Sequence, residues 1–558
     1  MVGGLACAAM LVATTPARAS STQEALFQDD AQLVRQTSDQ AVASTLDVLR
    51  RLGVTRVKAT IFWRAIAPSE ESRTRPRFNA SDPAAYPAVR WGPYDRLIKL
   101  ATARGLAVDL NISSPVPAWA TQPTPISGWV RQYRPAPGEF QQFVRAVGTR
   151  YSGTYAPPGP APESPPATSP PASPPSGSSC TPILGLPCLH AAGRPLARAA
   201  AVPGALPRVS LWSLWNEPNG WFFLAPQYSR GGVIASAAVY RPLVDGGYRG
   251  LVASGHGGDT ILIGETAPLG RPPPGGNSVS PLRFARALYC LSPSDRPLRG
   301  AAARAGGCPT SNPRRAFPAA HPALFSASGW ATHPYSLRAR PDVPTPDPNA
   351  VGPADAGRLT RTLRAIFRTY RRGNGPPIYY TEFGYESNPP DPSGFSPGRQ
   401  AAYLNQAEYI AYRNSRVRSY AQFLLVDTRP LANVGPSHPF YWTSFQTGLV
   451  GYDGRPKPAF GAYRMPVFVP NSFSPRAAAF RVWGGIRPAA IYGSQTARVE
   501  FRSGRGGFKT VRTLRTNNPR GYFDTRVVLR RSGVLRIAWR EPGTRVTQYS
   551  RRVAIRVG

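Results

Sequence analysis

The chain has 558 residues, of which 42% are apolar and 10% aromatic, so it can bury a large core and more than one domain. After the N-terminal segment, no stretch approaches the roughly eighteen uninterrupted apolar residues of a membrane-spanning helix, which excludes a membrane span. The formal net charge is +38, yet arginines occur in every segment and no nucleic-acid-binding motif is present. We therefore expect no nucleic-acid partner. A cationic secreted protein is the simpler interpretation of the charge, and attraction to an anionic matrix or polysaccharide is the alternative.

The first nineteen residues have the features of a secretory signal peptide. A small-residue apolar stretch, Leu5–Ala13, leads to Ala17-Arg18-Ala19, which fits an A-x-A cleavage site before Ser20. The sequence therefore predicts a secreted or cell-surface protein.

The cysteines that follow the signal form two pairs that are close in sequence, Cys180 with Cys188 and Cys290 with Cys308. Four cysteines allow three pairings, and in an oxidising compartment we predict the local one. A zinc site is the alternative, but the sequence lacks a C-x-x-C spacing and a histidine cluster near these cysteines. We therefore predict two disulfide-closed loops and no metal.

From residue 25 to about residue 462, short apolar runs alternate with amphipathic helical stretches, which is the pattern of parallel βα units. The predicted strands are Ala25–Asp29, Arg56–Trp63, Ala107–Ile112, Val209–Asn216, Thr260–Thr266, Gly329–Tyr335, Pro377–Phe383 and Arg418–Asp427. Predicted helices between them include Gln40–Leu52, Tyr94–Arg104, Glu139–Tyr151, Ala237–Val252, Ala354–Tyr370 and Arg399–Asn414. Eight such units predict an α/β fold of the (β/α)8 or TIM-barrel type, with the barrel domain spanning residues 20–464.

Two segments interrupt the alternation. Residues 156–207 contain a low-complexity run rich in proline and serine, which predicts a disordered insertion that loops out between the third helix and the fourth strand. Residues 270–325 contain Pro272-Pro273-Pro274 and the second cysteine pair, and they predict another long insertion near the face of the barrel that carries the active site.

The helical period ends after Met465, and short alternating runs separated by turn residues follow. These runs are Ala479–Val482, Ala497–Phe501, Phe508–Arg515, Gly521–Leu529, Gly533–Trp539 and Arg551–Val557. About ninety residues of this kind predict a small antiparallel β-sandwich over residues 465–558. We interpret it as a packing accessory to the barrel, with carbohydrate binding as the alternative.

A glutamate stands at the C-terminal end of two of the predicted barrel strands, directly after Asn216 in the fourth and directly before Phe383 in the seventh. The sequence Leu-Trp-Asn-Glu-Pro-Asn at 214–219 ends the fourth strand, and Ile-Tyr-Tyr-Thr-Glu-Phe-Gly at 378–384 ends the seventh. The C-terminal ends of the strands form the mouth of a TIM barrel, where active sites are built. Glu217 and Glu382 therefore supply the carboxylate pair that glycoside hydrolysis needs.

These two motifs together resemble the retaining glycoside hydrolases of clan A, including the cellulase-like family 5 and the xylosidase/iduronidase-like family 39. Asn-Glu-Pro alone is a weak match, and it becomes specific because the second glutamate ends the seventh strand. The segment Gly448–Ala459 also resembles the stretch that follows the last strand in such enzymes. The resemblance covers residues 25 to about 462 and implies that Glu217 is the general acid/base and Glu382 the nucleophile. Retention requires carboxyl groups roughly 5–5.5 Å apart.

The same resemblance implies roles for three neighbours of the glutamates. Asn216 is expected to bind the sugar 2-hydroxyl, with a turn-forming asparagine as the alternative. His333 and Tyr335 end the sixth strand, where the family carries a histidine and a tyrosine, and the tyrosine commonly orients the nucleophile. A buried histidine bonded to the backbone is the alternative for His333.

Further candidates come from their positions at strand ends. Trp63, Trp119, Trp221 and Trp442 lie at or just after predicted strand ends, where each is a sugar-stacking residue or, equally, a core residue. Trp442 is the best candidate for the platform beneath the cleaved sugar, and Trp63 is a second substrate-binding candidate. Glu265 ends the fifth strand, and we interpret this rival carboxylate as a substrate-binding or charge-tuning group.

The sequence thus predicts a secreted, monomeric retaining glycosidase that needs no cofactor and acts on an oligo- or polysaccharide, an anionic one included. It contains no Gly-rich phosphate loop and no nucleophilic Ser/His/Asp arrangement. A non-catalytic carbohydrate-binding or cell-surface protein on the same scaffold is the first alternative. The second is a structural protein that binds anionic polymers, and it leaves the strand-end glutamates unexplained.

Overall fold

The computed structural model describes residues 20, 22–158, 203–273, 276–438, 440–488 and 492–558. The predicted signal peptide, most of the proline-rich insertion and the Cys180–Cys188 pair lie outside these residues. Those expectations therefore stay predictions.

Within the described residues, eight parallel strands close a barrel in sequence order, which confirms the predicted fold. The strands are Glu24–Gln28, Arg56–Phe62, Ala107–Ser113, Leu211–Leu214, Thr260–Thr266, Gly329–Thr332, Ile378–Tyr380 and Val417–Phe423. The fourth, sixth and seventh strands end two or three residues earlier than expected. As a result, Asn216, His333 and Glu382 lie just after the strands, in the loops of the mouth.

The α-helices around the described barrel include the six predicted from the sequence. Their bounds are Asp30–Leu33, Asp39–Arg51, Trp63–Ile66, Ala88–Ala103, Pro137–Arg150, Ala235–Ala253, Pro281–Leu288, Gly300–Ala305, Pro313–Ala320, Ala323–Ser326, Ala356–Thr369, Pro397–Tyr412 and Pro458–Arg464. Short 3₁₀ helices cover Pro83–Ala85, Ala118–Ala120, Ser127–Trp129, Arg230–Gly232 and Pro353–Asp355. None of the described helices has the length and apolar character needed to cross a membrane.

The helix Asp39–Arg51 shows why the sequence forms these elements. The Ser38 hydroxyl accepts a hydrogen bond from the Ala41 amide at 3.4 Å and caps the first turn. Val42, Leu46 and Leu49 recur at helical spacing and are fully buried against the barrel.

The barrel strands have two chemically different faces. Residues that face the helices are apolar, such as Val57, Ala59 and Ile61 of the second strand, which belong to the main core. Alternate residues point into the barrel, where a small apolar layer comprises Leu211, Leu262, Ala331 and Tyr379. Closer to the mouth, the interior positions are polar and buried: Lys58, Asp109, Asn111, Ser213 and Glu265. Such groups must find partners inside the barrel, because water cannot solvate them there.

The segment predicted as a second insertion carries four of the short helices, from Pro281 to Ser326. Its cysteines Cys290 and Cys308 are joined by a disulfide, which confirms this pairing. Arg241 of the helix Ala235–Ala253 donates hydrogen bonds to the carbonyls of Gly306 and Gly307, so the segment is packed onto the barrel.

After residue 464, the described chain forms two packed sheets. One has the strand order Phe473–Ser474, Val553–Val557, Gly533–Arg540, Gln495–Arg502 and Lys509–Thr516, with Thr547–Tyr549 paired to Gly533–Arg540. The other has the order Tyr522–Leu529, Ala478–Gly485 and Val467–Phe468. Phe480, Val499, Val527 and Trp539 share one core between the sheets, and the predicted sandwich is confirmed. The strands of two or three residues were not predicted.

The sandwich is joined to the barrel helix Pro397–Tyr412 by a buried interface. Tyr412 of this helix packs against Trp483 and Tyr522 of the sandwich. Glu408 pairs with Arg487, and the two side chains are only 2% and 3% exposed. The Tyr522 hydroxyl also donates to Glu408 at 2.8 Å. The barrel and the sandwich are therefore linked by a buried ion pair, and removing either partner would leave the other charge buried and unpaired.

We predict that Arg487→Leu lowers the free energy of unfolding by about 3–5 kcal/mol, because it leaves the Glu408 carboxylate buried without its cation. The matched control is Arg481→Leu, whose pair with Asp524 is partly exposed, at 34% and 26%. The control should cost less than about 1 kcal/mol. Urea unfolding followed by tryptophan fluorescence measures both, and equal losses would contradict a special role for the buried pair.

Candidate active site

Five charged or titratable side chains converge at the mouth of the barrel. Glu217, Glu265, His333 and Glu382 come from the ends of the fourth to seventh strands, and Lys58 comes from the second strand. His333 Nδ1 lies 2.8 Å from Glu217 Oε1 and 3.6 Å from Glu382 Oε2. The side chains of Lys58, Glu265 and His333 have no exposed surface, whereas those of Glu217 and Glu382 are 15% and 11% exposed. Only the two glutamates predicted to be catalytic therefore reach solvent.

Glu217 is held by a tight turn after the fourth strand. Trp215 and Glu217 both adopt positive φ angles, 75° and 38°, in the left-handed region that side chains other than glycine avoid. The Trp215 indole donates to the Phe223 carbonyl at 3.0 Å, and the Glu217 amide donates to the Glu265 carbonyl at 3.0 Å. These contacts hold the turn in a costly conformation and direct the carboxylate towards the barrel axis.

Lys58 links two carboxylates inside the barrel. Its ammonium lies 2.8 Å from Glu265 Oε2 and 3.3 Å from Glu382 Oε1. Burial by itself would lower the pKa of Lys58, but the charges of Glu265 and Glu382 outweigh it and hold the pKa above its ordinary value. Burial likewise would raise the pKa of Glu265, but Lys58 and His333 outweigh it and hold that pKa well below its usual range. Lys58 and Glu265 are therefore a buried ion pair at neutral pH.

His333 connects Glu265 to Glu217. Its Nε2 lies 2.7 Å from Glu265 Oε2, and its Nδ1 lies 2.8 Å from Glu217 Oε1. Burial by itself would lower the pKa of His333, but the charge of Glu382 and the hydrogen bonds to Glu217 and Glu265 outweigh burial and raise the pKa to about 9. At neutral pH the ring therefore carries both protons and donates to both carboxylates.

The carboxylates of Glu217 and Glu382, which reach solvent only in part, lie close to each other. One oxygen of Glu217 and one of Glu382 are within 4.8 Å of each other, with His333 between them. The Tyr335 hydroxyl lies 3.4 Å from Glu382 Oε2 and donates to it, and the orienting role that the family resemblance implies for Tyr335 stays a prediction. The two carboxylates are therefore close enough to contact the same group placed in the mouth of the barrel.

Asn216 is held just after the strand, next to Glu217. Its side-chain oxygen accepts a hydrogen bond from Asn111 Nδ2 at 3.1 Å, and its backbone amide donates to the Ser113 hydroxyl at 2.9 Å. This side chain is thus oriented by the third strand, and binding of a sugar hydroxyl stays a prediction.

The predicted role of Trp63 is wrong. Its side chain has no exposed surface and stacks on Phe143 with ring centroids 5.3 Å apart. The second strand ends one residue earlier, and Trp63 turns outwards into the layer between strands and helices, where no substrate reaches it. It is a core residue.

The substrate-binding role predicted for Trp442 stays open, whereas the two roles considered for Glu265 can be distinguished. Trp442 lies in the loop after the eighth strand, partly exposed and edge-on to Tyr441, so its role beneath a sugar stays a prediction. Glu265 is fully buried and accepts a hydrogen bond from the Thr381 hydroxyl at 2.8 Å. Of the two roles considered for Glu265, direct substrate binding is inconsistent with this burial, and charge tuning is consistent with it.

Two functional candidates were missed by sequence reasoning. Lys58 is one of only four lysines and interrupts an apolar strand, which was a usable signal for a buried partner. Glu386 lies four residues after Glu382 in the sequence, and its Oε2 accepts a hydrogen bond from the Gln446 amide at 2.6 Å. Burial raises the pKa of Glu386 to about 8, so it is a largely neutral carboxyl group at pH 7.

The same residues also present a possible metal-binding geometry. Glu217, His333 and Glu382 each offer one ligand atom within 4.8 Å of the others. A histidine must lose a ring proton to bind a metal ion, and the pKa of His333, raised to about 9, opposes that loss.

Comparisons with known proteins give weak similarities. No protein-family model matches the sequence, and no curated protein matches it. A glucosidase from Croceicoccus marinus is 12% identical with a TM-score of 0.44, over 92% of this chain and 95% of the glucosidase. A GH5_18 protein from Streptomyces cattleya in complex with GlcNAc is 11% identical with a TM-score of 0.41, over 82% of this chain and 84% of that protein. The family 1 β-glucosidase from Thermotoga maritima is 13% identical with a TM-score of 0.41, over 76% of this chain and 84% of the β-glucosidase. At these identities and TM-scores, no residue role is transferred from these proteins.

We predict a pH dependence of stability that originates at His333. Because its folded pKa, about 9, lies above the ordinary value of 6.5, the folded state binds this proton more tightly. The resulting stabilisation, on the order of 3 kcal/mol, is complete below pH 6.5 and disappears as the pH rises through 9. His333→Gln should therefore show a smaller loss of stability between pH 6 and pH 10 than the unsubstituted protein.

Urea unfolding at the two pH values measures this difference. His438→Gln is the control, because His438 is exposed. An unchanged decline in the His333→Gln variant would mean that His333 is not the titrating group.

Proposed function

We propose that the protein is a secreted retaining glycoside hydrolase that cleaves O-glycosidic bonds by double displacement. The observation that carries this proposal is the approach of the Glu217 and Glu382 carboxylates to within 4.8 Å at the mouth of a TIM barrel. Retaining enzymes hold their two carboxyl groups roughly 5–5.5 Å apart, so that one attacks the sugar while the other protonates the leaving group.

The surroundings of Glu382 support its assignment as the nucleophile. The Lys58 ammonium and the Tyr335 hydroxyl contact opposite oxygens of this carboxylate, at 3.3 and 3.4 Å. Together the two contacts hold both oxygens of the carboxylate in one orientation. A nucleophile needs such a fixed orientation, because it must be aligned with the anomeric carbon.

The surroundings of Glu217 support its assignment as the acid/base. His333 contacts Oε1 of this carboxyl group, which leaves Oε2 as the oxygen that can carry and donate a proton. In the proposed reaction the same carboxyl group gives a proton to the leaving oxygen in the first step and takes one from water in the second.

The proposed reaction has two steps. In the first, Glu382 attacks the anomeric carbon, the bond to the glycosidic oxygen breaks, and Glu217 transfers its proton to that oxygen. In the second, Glu217 takes a proton from a water molecule, the resulting hydroxide attacks the anomeric carbon, and Glu382 leaves as a carboxylate. The net reaction consumes one water molecule and retains the anomeric configuration.

Secretion and the class of substrate belong to the same proposal. The Cys290–Cys308 disulfide supports an oxidising compartment, and two carboxylates flanked by Asn216 and partly exposed aromatic residues suit an oligo- or polysaccharide. The second candidate function is a non-catalytic carbohydrate-binding protein. It shares the carbohydrate ligand but requires no ionised nucleophile.

We predict that Glu382→Ala abolishes hydrolysis of aryl glycosides, because no group remains to form the glycosyl-enzyme. Azide should restore activity by attacking from the vacated side, and NMR should identify a glycosyl azide of inverted configuration. Glu139→Ala, which removes a carboxylate on the outer helix Pro137–Arg150, should retain activity. A Glu382→Ala variant with near-normal turnover would contradict the assignment.

We predict that Glu217→Gln slows the hydrolysis of glycosides with poor leaving groups about 10²–10⁴-fold more than that of activated aryl glycosides. An activated phenolate departs without a proton, so its release needs little help from a general acid. Stopped-flow measurements on a dinitrophenyl glycoside should then show a burst of phenolate, because the glycosyl-enzyme forms quickly and hydrolyses slowly. Equal losses for both substrate types would assign Glu217 a structural role. A wild-type protein that turns over no glycoside would favour the binding-protein candidate.

A further inference from the structure

The positive charge of the protein is concentrated in the sandwich. Residues 465–558 contain nineteen basic and three acidic side chains, a net charge of +16 out of the total of +38. About a sixth of the chain therefore carries about two fifths of the net charge, although arginines occur in every other segment as well.

The sheet register places several of these basic residues on one outer face. Ala497, Leu514 and Trp539 pair across adjacent strands and are buried in the sandwich core. Their neighbours in sequence must point the other way, because side chains alternate along a strand. Arg498 and Arg540 therefore project from the same face of the sheet, on adjacent strands.

An open groove of about 740 Å³ follows this outer face. Arg498, Arg540 and Arg545 line it together with Glu541 and with four hydroxyl-bearing residues, Ser494, Thr496, Thr513 and Thr544. The Ser494 and Thr544 hydroxyls are bonded within the sandwich. Arg540 and Arg545 are exposed, and the Arg498 side chain is 43% exposed. The volume lies within the range of about 300–1,000 Å³ that is typical of ligand sites.

The acidic residues of the sandwich do little to neutralise the groove. Glu541 is almost completely buried and pairs with Arg464 of the barrel at 2.7 Å. Glu500 pairs with Arg536 at 2.8 Å and only distantly with Arg498, at 3.5 Å, and Asp524 pairs with Arg481 on the other sheet. Arg540 and Arg545 thus keep a positive charge available for an external anion.

We propose that this groove, which we call the arginine groove, is a binding site for an anionic polysaccharide. Guanidinium groups bind carboxylate or sulfate groups in a bidentate manner, and the hydroxyl groups between them suit the hydroxyl groups of a sugar chain. Single-stranded nucleic acid fits less well, because it requires free aromatic faces for base stacking. The rings of Phe508 and Tyr549 do not line the groove, and the Arg536 guanidinium lies over one face of each, at 3.9 and 3.8 Å from their centroids.

The arginine groove lies away from the barrel mouth. Glu541, at its edge, contacts Arg464, the last residue of a barrel helix, and helices of a TIM barrel end at the face opposite the active site. A polymer bound there would hold the protein on a polysaccharide surface without entering the catalytic site. The proposal therefore does not depend on the proposed hydrolase activity.

Affinity electrophoresis and calorimetry of the full chain test the proposal, with dextran sulfate, polygalacturonate and neutral dextran as probes. We expect binding to dextran sulfate or polygalacturonate that weakens as salt rises, and none to dextran. Substitution of Arg498, Arg540 and Arg545 by alanine should weaken binding about tenfold or more, equivalent to about 1.4 kcal/mol. Activity on a small aryl glycoside should be unchanged.

The matched control removes the same charge elsewhere. Arg526, Arg530 and Arg531 are exposed and lie on or just after the strand Tyr522–Leu529 of the other sheet. Their replacement by alanine should change the affinity less than about twofold, equivalent to about 0.4 kcal/mol. If the triple groove variant unfolds, Arg545→Ala alone, in an exposed turn, should still weaken binding measurably.

Three results would overturn the proposal. Equal losses in the two triple variants would show that only the total charge matters. Absence of binding to both dextran sulfate and polygalacturonate would show that the arginine groove is not a binding site for anionic polysaccharides. Tighter binding to duplex DNA than to either polymer at the same salt concentration would assign the groove to nucleic acid instead.

Discussion

The candidate active site depends on one interaction, the burial of the Lys58 ammonium between the carboxylates of Glu265 and Glu382. An unpaired charge inside the barrel would be too costly to bury, so each of these three groups requires the others. Glu265 in turn accepts a hydrogen bond from His333, and His333 contacts Glu217. A chain of charges therefore runs from the second strand to both exposed carboxylates and fixes their separation.

This chain of contacts also makes the two exposed carboxylates unequal. Glu382 is contacted by an ammonium and a phenol, and Glu217 by an imidazolium that it shares with Glu265. Deeper in the barrel, burial and the charge of Glu265 raise the pKa of Asp109 to about 7, so this carboxyl group is partly neutral at pH 7. The barrel interior thus limits its negative charge to the positions where a cation is present.

The barrel could be predicted because parallel strands covered on both faces form continuous apolar runs, and all eight were found. The ends of the strands were predicted less accurately. Trp215 and Phe383 continue the apolar pattern after the strands have ended at Leu214 and Tyr380, so the predicted strands are too long. In the sandwich, strands such as Phe473–Ser474 are too short to show any alternation.

The site was only partly predictable, because sequence motifs mark residues that are close along the chain. Glu217 and Glu382 end recognisable motifs, whereas Lys58 acquires its meaning from Glu265 and Glu382, 207 and 324 positions away. Trp63 was assigned to the substrate site because it is close to a strand end. That position does not determine whether a side chain points into the barrel or outwards to the helices. The arginine groove was missed because strand register, and not composition, brings Arg498 and Arg540 together.

The positive φ angles at Trp215 and Glu217 have a consequence for how this protein can change over evolutionary time. Each left-handed residue other than glycine costs of the order of 1 kcal/mol, and glycine at either position would relieve that cost. At 215, glycine would remove a fully buried indole, a loss of about 3–5 kcal/mol that exceeds the strain relieved. At 217, glycine would remove a partly exposed carboxylate and relieve the strain. Selection for stability alone would therefore keep Trp215 and favour the loss of Glu217, so Glu217 is expected to persist only in lineages where its proposed function is under selection.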